Sequence, residues 1–174
     1  LKMICPLKPL ARPDIPEGKI SVALNIRTGT GFDIPTLADL PKLTACPLEQ
    51  LKVPPLSYYT QQLKLLVKRF AGQELYIYMF TDHSNPRELA DYFERELDNS
   101  IVIHTPQGVC GHNQHVLEDF FAIADAECFD CIIRPDSNFS MMASRLGNHQ
   151  LQISPWHCST IDGEYVIDQI CMNN

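Results

Sequence analysis

Short apolar runs of β-forming residues alternate along this chain with segments that have helical periodicity. The runs are Ile20–Ile26 (ISVALNI), Leu75–Phe80 (LYIYMF), Ile101–Ile103, Cys131–Ile133 and Leu151–Ile153. Runs that stay apolar at successive positions are typical of strands buried on both faces of a parallel sheet. The sequence therefore predicts an α/β fold, in which crossover helices cover a parallel sheet.

The segments between these runs predict the helices. Four of them have helical spacing of apolar residues, at 58–70, 86–97, 115–124 and 139–146. Residues 165–171 fit either a final helix or a strand, and the pattern does not decide between the two.

Proline marks the remaining parts of the chain. Four prolines lie within residues 1–19, which we interpret as a Pro-rich lead-in to one domain over 20–174. Residues 32–57 are also Pro-rich and aperiodic, and they predict a long loop with at most one helical turn. Because the chain begins at Leu1 and lacks an initiator Met, we expect it to be a piece of a longer protein.

Composition excludes several classes of protein. With 45% apolar and 20% charged residues, the chain can bury a core, and its net charge of −7 disfavours broad contact with nucleic acid. No apolar run approaches the roughly 18 residues that a membrane span needs. The seven cysteines are odd in number and irregularly spaced, so we expect free thiols and a cytoplasmic location.

Ligands of parallel sheets lie beyond the carboxyl ends of the strands, which directs attention to the residues after each run. Arg27 follows the first run, beside Gly29 and Gly31, and a guanidinium with nearby backbone N–H groups suits a phosphate. An arginine in a flexible surface loop is the alternative. Asp82 follows the second run and could hold a ribose, a base or an acceptor hydroxyl, or could be an ordinary turn residue.

The stretch Arg134-Pro-Asp-Ser-Asn-Phe-Ser140 contains a second candidate site, where a strand stops and a helix begins. Free N–H groups at a helix start favour an anion, and Ser137 and Ser140 add hydroxyl donors. The alternative is that Asp136 or Ser137 only caps the helix, and capping and binding are compatible.

Cysteine and histidine form a weaker candidate. Cys110, His112 and His115, with the Cys128/Cys131 pair, supply metal-ligand atoms, but their spacing is not that of a common zinc module. We therefore predict no metal site, and we consider a redox role of the C-x-x-C pair less favoured still.

Three stretches together resemble the fucosyltransferase superfamily, the GT-B-like enzymes that include α-1,2-, α-1,6- and protein O-fucosyltransferases. Residues 20–31 (ISVALNIRTGTG) resemble the family's strand followed by H-x-R-x-G. Residues 118–121 (EDFF) resemble the helix whose aspartate approaches the nucleotide, and residues 130–140 (DCIIRPDSNFS) resemble the strand followed by S-x-F-S. The resemblance implies a Rossmann-like domain, the donor-binding half of a GT-B fold.

The resemblance also implies a function and a set of roles. The domain would bind GDP-fucose for inverting, metal-independent transfer to a glycan or protein acceptor, with no cofactor and with contacts to a missing N-terminal half. Arg27 would contact the β-phosphate, and Asp33 is the nearest carboxylate that could act as general base. The implied donor-binding residues are Asn25, Arg27, Gly29, Asp82, Asp119, Ser137, Asn138, Phe139 and Ser140.

Two departures from the family pattern leave other functions open. Asn25 stands where the family has histidine, and 174 residues supply one Rossmann-like half only. The alternatives are a glycosyltransferase that uses another nucleotide sugar and a non-catalytic nucleotide-binding or interaction module, so enzymatic activity is itself an open expectation.

Overall fold

The computed structural model describes residues 13–28, 47–106, 116–125, 128–161 and 164–173. These residues form helices and strands that alternate along most of the chain. In chain order they are β1 (Ile20–Ile26), α1 (Pro47–Lys52), α2 (Leu56–Arg69), β2 (Leu75–Thr81), α3 (Pro86–Glu96), β3 (Ile103–His104), α4 (Val116–Ala124), β4 (Cys131–Ile133), α5 (Asn138–Leu146), β5 (Leu151–Ile161) and β6 (Glu164–Asn173).

The six strands form one sheet in the order β3-β2-β1-β4-β5-β6. The first five strands are parallel, and β6 pairs antiparallel with β5 at the edge. The strand order reverses at β1, with β2 on one side and β4 on the other. This arrangement confirms the predicted α/β, Rossmann-like fold, with an antiparallel edge strand as the one addition to the parallel sheet.

Strand β1 lies at the centre of the molecule. Its residues from Ser21 to Ile26 are buried, as the apolar run predicts. Side chains alternate between the two faces of a strand, and they enter two separate cores here. Val22, Leu24 and Ile26 join residues of α2 and α3, whereas Ala23 joins residues of α4 and α5. Helices therefore cover both faces.

A reciprocal pair of polar residues joins β1 to the segment that leads into β4. The Asp130 carboxylate accepts hydrogen bonds from the backbone N–H of Ser21 at 2.9 Å and from its hydroxyl at 2.8 Å. The Ser21 hydroxyl in turn accepts from the backbone N–H of Asp130 at 2.9 Å. These bonds set the alignment of the two strands at their amino ends.

The end of the chain differs most from the sequence expectation. Strand β5 extends well beyond the predicted 151–153, and segment 165–171 belongs to strand β6. Only residues 151–153 of β5 pair with β4, and the rest of the strand pairs with β6 alone, across an irregularity between Pro155 and His157. Because this hairpin is exposed on one side, it needs no apolar run, and Trp156 is 68% exposed.

Smaller differences lie at element ends and in the Pro-rich segment. Six residues of the predicted loop 32–57 form helix α1, and strand β3 begins two residues later than expected. No helix within the described ranges combines the length and apolar character that a bilayer crossing requires.

Phe93 tests the apolar face predicted for α3. Its ring is fully buried in the core between the sheet and helices α2 and α3, and it makes edge-to-face contacts with the rings of Tyr59 and Tyr92. We expect Phe93→Ala to lower the free energy of unfolding by about 3–5 kcal/mol, because it leaves a cavity. Urea denaturation followed by circular dichroism measures this. Leu65→Ala, at an exposed position of α2, is the matched control and is expected to change stability by less than about 1 kcal/mol.

His149 makes stability depend on pH. The ring is buried, and its Nδ1 lies 2.9 Å from the carbonyl oxygen of Phe129. Burial lowers the pKa of His149 below its ordinary value, and bonds to the carbonyls of Phe129 and Ile123 oppose this only in part. The folded protein therefore favours the neutral ring.

The unfolded chain, with an ordinary histidine pKa of about 6.5, takes up the proton first as pH falls. We expect the free energy of unfolding to decrease as pH falls below about 6.5, towards the lower pKa of the folded state. His149→Asn is expected to reduce this dependence, as measured by urea denaturation at several pH values. His157→Asn, at an exposed position, is the control, and an equal reduction there would contradict the assignment.

Candidate functional site

The strand order reverses at β1, and in open α/β sheets such a reversal leaves a crevice beyond the carboxyl ends of the two strands concerned, here β1 and β4. The two strands are in register through Leu24 and Ile133, and their chains then diverge into different crossover connections. In open α/β sheets this is the position at which ligands bind. Arg27 is the first residue after β1, and Arg134 is the first residue after β4.

Asn25 and Arg27 lie on the α4/α5 side of this crevice. They follow Ala23 at intervals of two residues, so they continue the face of β1 that packs against α4 and α5. Asn25 is buried, whereas the Arg27 side chain is exposed. Within the described ranges the Arg27 guanidinium forms no ion pair.

Asp82 holds the end of β1 to the end of β2. Its Oδ1 accepts hydrogen bonds from the backbone N–H of Thr28 at 2.7 Å and from the Thr28 hydroxyl at 2.8 Å. Thr28 is fully buried. A carboxylate used in this way fixes the course of the chain that follows Arg27. The predicted ribose or base contact of Asp82 is untested, and its observed role is positional.

The start of α5 shows the predicted cap. Ser137 is the N-cap residue, and its hydroxyl accepts from the backbone N–H of Ser140 at 3.3 Å. The Ser140 hydroxyl lies 2.8 Å from that of Ser137 and donates to the carbonyl of Pro135 at 2.9 Å. Both serines are buried, and their hydroxyls form hydrogen bonds within the turn between β4 and α5. The exposed Asn138 and the half-buried Phe139 remain at the first turn of the helix.

The first turns of α4 and α5 meet at this edge. The rings of Phe120 and Phe139 make an edge contact with centroids 5.6 Å apart. Asp119 precedes Phe120 in α4 and is half-buried. The structure thus brings the Asp119 region together with Phe139, two parts of the predicted site that are 20 positions apart in the chain.

Sequence reasoning missed the residues of α2 at this edge. Tyr58 and Tyr59 open α2, and their hydroxyls are buried without a hydrogen bond to the described residues. Burial raises the pKa of Tyr59 well above its ordinary value, and the nearby backbone amide of Arg27 opposes this shift. Burial also raises the pKa of Tyr58, with Arg134 opposing. Both phenols therefore stay neutral. Helical spacing marks Tyr59 but not Tyr58 as a core residue, and nothing in the pattern reveals the neighbours of either.

The cysteine candidates do not form a site in the part of the chain that is described. Cys128 and Cys131 are buried, and burial raises the pKa of the Cys131 thiol to about 12, which makes it a poor nucleophile. Across the described ranges no three histidine, cysteine or acidic residues group as metal ligands would. The predicted residues Gly29, Asp33, Cys110, His112 and His115 lie outside the described residues.

Comparisons of this chain with protein-family models, with curated proteins and with solved structures give no match.

The link between Asp82 and Thr28 gives a stability prediction. Asp82→Ala removes a charged acceptor from two hydrogen bonds, and we expect the free energy of unfolding to fall by about 1–3 kcal/mol. Urea denaturation provides the measurement. Glu96→Ala, which removes an exposed carboxylate from α3, is the control with little expected change. Equal stability of the two variants would show that the link contributes nothing.

Proposed function

We propose that this domain binds a nucleoside diphosphate sugar and forms the donor-binding half of a glycosyltransferase. The observation that carries the proposal is the exposed guanidinium of Arg27 at the carboxyl end of β1, where the strand order reverses. A guanidinium binds phosphate oxygens through paired hydrogen bonds, and this position is the usual ligand position of the fold.

The surroundings of Arg27 support a phosphate rather than a neutral ligand. The whole chain carries a net charge of −7, yet an arginine follows each of the two strands that border the crevice. The first turn of α5 begins at the same edge, and N–H groups at a helix start favour an anion. Two arginines therefore follow the central strands at this edge of an acidic protein.

The resemblance to fucosyltransferases suggests GDP-fucose as the donor. In the proposed reaction an acceptor hydroxyl displaces GDP at the anomeric carbon and inverts its configuration. The bond from this carbon to the β-phosphate oxygen breaks, and the phosphate gains negative charge in the transition state. Arg27 and the start of α5 would stabilise that charge. A base would take the hydroxyl proton, and Asp33 is the proposed candidate.

Further roles belong to the same proposal. Asp119, half-buried on the first turns of α4, would accept hydrogen bonds from the guanine edge. Phe139 and Asn138 would lie against the nucleoside and phosphates. The acceptor would be a glycan or a protein, and the irregular cysteine spacing favours a cytoplasmic location.

Asn25 supports one alternative. It stands where the resembled family has histidine, and an amide cannot take a positive charge. A nucleotide-binding module without transfer activity would keep Arg27 and lose the histidine. Sugar transfer by a longer chain that contains this domain would exclude this alternative.

Thermal unfolding with nucleotides tests the proposal. A ligand at about 100 times its dissociation constant adds about 2.7 kcal/mol to stability. We expect excess GDP to raise the unfolding temperature of the wild-type domain more than ADP or UDP does. Arg27→Ala should lose this shift while it keeps the unfolding temperature without ligand, because the side chain is exposed.

Arg95→Ala is the matched control, since it removes an exposed arginine from α3 on the opposite face of the sheet. It is expected to keep the full GDP shift. A GDP shift that is unchanged in Arg27→Ala would remove the phosphate role of Arg27, and equal shifts with all three nucleotides would remove the preference for guanine.

A further inference from the structure

Arg134 is a buried cation that forms no ion pair in the described part of the chain. Its side chain is 6% exposed. The guanidinium makes one hydrogen bond, from Nη1 to the carbonyl oxygen of Pro135 at 3.1 Å, and its Nε is buried without a partner. Buried charges in proteins are ordinarily paired, because removing an unpaired charge from water costs several kcal/mol.

The groups around Arg134 do not neutralise it. Burial lowers the pKa of Arg134, and Asp136 and Tyr58 oppose this while Arg145 adds to it. Asp136 is exposed and forms no ion pair with Arg134 in the described structure. Its backbone N–H donates to the carbonyl of Leu51 at 2.8 Å, which ties the β4–α5 turn to α1. The turn is therefore held in place, and Asp136 offsets the burial of the guanidinium only in part.

The register of the sheet puts Arg134 close to Arg27. Leu24 pairs with Ile133, so the next positions, Asn25 and Arg134, lie side by side. Neighbouring positions of adjacent strands share a face, and Arg27 follows Asn25 by two positions, one residue past the end of β1. Strand spacing and rise then separate the Cα atoms of the two arginines by about 8 Å. Two long side chains at this distance can reach adjacent phosphoryl groups.

We propose that Arg134 is a second phosphate-binding residue, so that the crevice is built for a diphosphate, with one phosphoryl group on Arg27 and the next on Arg134. This rests on the proposed function and makes it more specific. A diphosphate supplies the missing counter-charge and accepts from guanidinium donors that the described protein groups leave unused. A monophosphate reaches only one of the two arginines.

A purely structural role accounts less well for these observations. An arginine kept for packing would be expected to have its Nε satisfied by the protein, and an apolar side chain of similar length would fill the same space without a desolvation cost. The two roles therefore predict opposite effects of Arg134→Met on the stability of the free protein. The ligand-binding role predicts unchanged or higher stability, whereas a structural role predicts a loss.

The experiment is calorimetric titration of the wild-type domain with inorganic pyrophosphate and with inorganic phosphate. We expect pyrophosphate to bind at least tenfold more tightly than phosphate. Arg134→Met should weaken pyrophosphate binding about ten- to hundredfold, as for loss of a charged hydrogen-bonding partner. Arg95→Met, at an exposed position in the last turn of α3, is the control and should keep the wild-type affinity.

Arg134→Lys is the second variant, which keeps the charge and protects the test if Arg134→Met does not fold. A lysine lacks the planar fork of arginine, so we expect weaker pyrophosphate binding with the fold retained. Wild-type affinity for pyrophosphate in a folded Arg134 variant would overturn the proposal. Equal wild-type affinities for phosphate and pyrophosphate would overturn it too.

The same variants separate this inference from the proposed function. Selective GDP binding that is unaffected by Arg134→Met would leave the proposed function standing and overturn the role of Arg134. Pyrophosphate binding that depends on Arg134, without preference among nucleotides, would support the role of Arg134 and remove the guanine-nucleotide function.

Discussion

Strand β1 is hydrogen-bonded on both edges and covered on both faces, and the rest of the structure is arranged around that burial. A strand in this position must be apolar on both faces, which the run ISVALNI supplies at nearly every position. Its two polar members need partners or a function. Ser21 is paired with Asp130 at the amino end. Asn25 lies near the carboxyl end and is buried there.

Polar groups at the two edges of the sheet differ in how far their hydrogen bonds are satisfied within the protein. At the amino edge, Ser21 and Asp130 satisfy each other within the protein. At the carboxyl edge, Nε of Arg134 and the hydroxyls of Tyr58 and Tyr59 have no hydrogen-bond partner in the described ranges, while Thr28 and Asp82 hold the backbone near them in place.

The sequence predicted those parts of the fold in which local pattern and burial agree. The strands of the parallel core and the helix faces, such as Leu89, Phe93 and Leu97 in α3, appear where the periodicity indicates them. Strand β5 was underestimated because Trp156, His157 and Ser159 carry no apolar run, and its length comes from pairing with β6 rather than from burial.

The candidate site was predictable only in part, for a related reason. The sequence shows which residues come directly after each strand, and so it identified Arg27, Asp82 and the cap at Ser137. It does not indicate which residues on distant elements are neighbours. The contact between Phe120 and Phe139, the use of Asp82 by Thr28 and the burial of Arg134 all depend on tertiary packing across separate crossover units.

The exposed position of Trp156 has a consequence for spectroscopy. It is the single tryptophan of the chain, and its indole lies on the surface of the β5–β6 hairpin, away from both cores. The native protein should therefore emit at the long wavelengths typical of an indole in water, with little further change on unfolding. The same property makes Trp156 a sensitive reporter of contact, since any surface that covers the hairpin would shift its emission to shorter wavelength. No other tryptophan in the chain contributes to that signal.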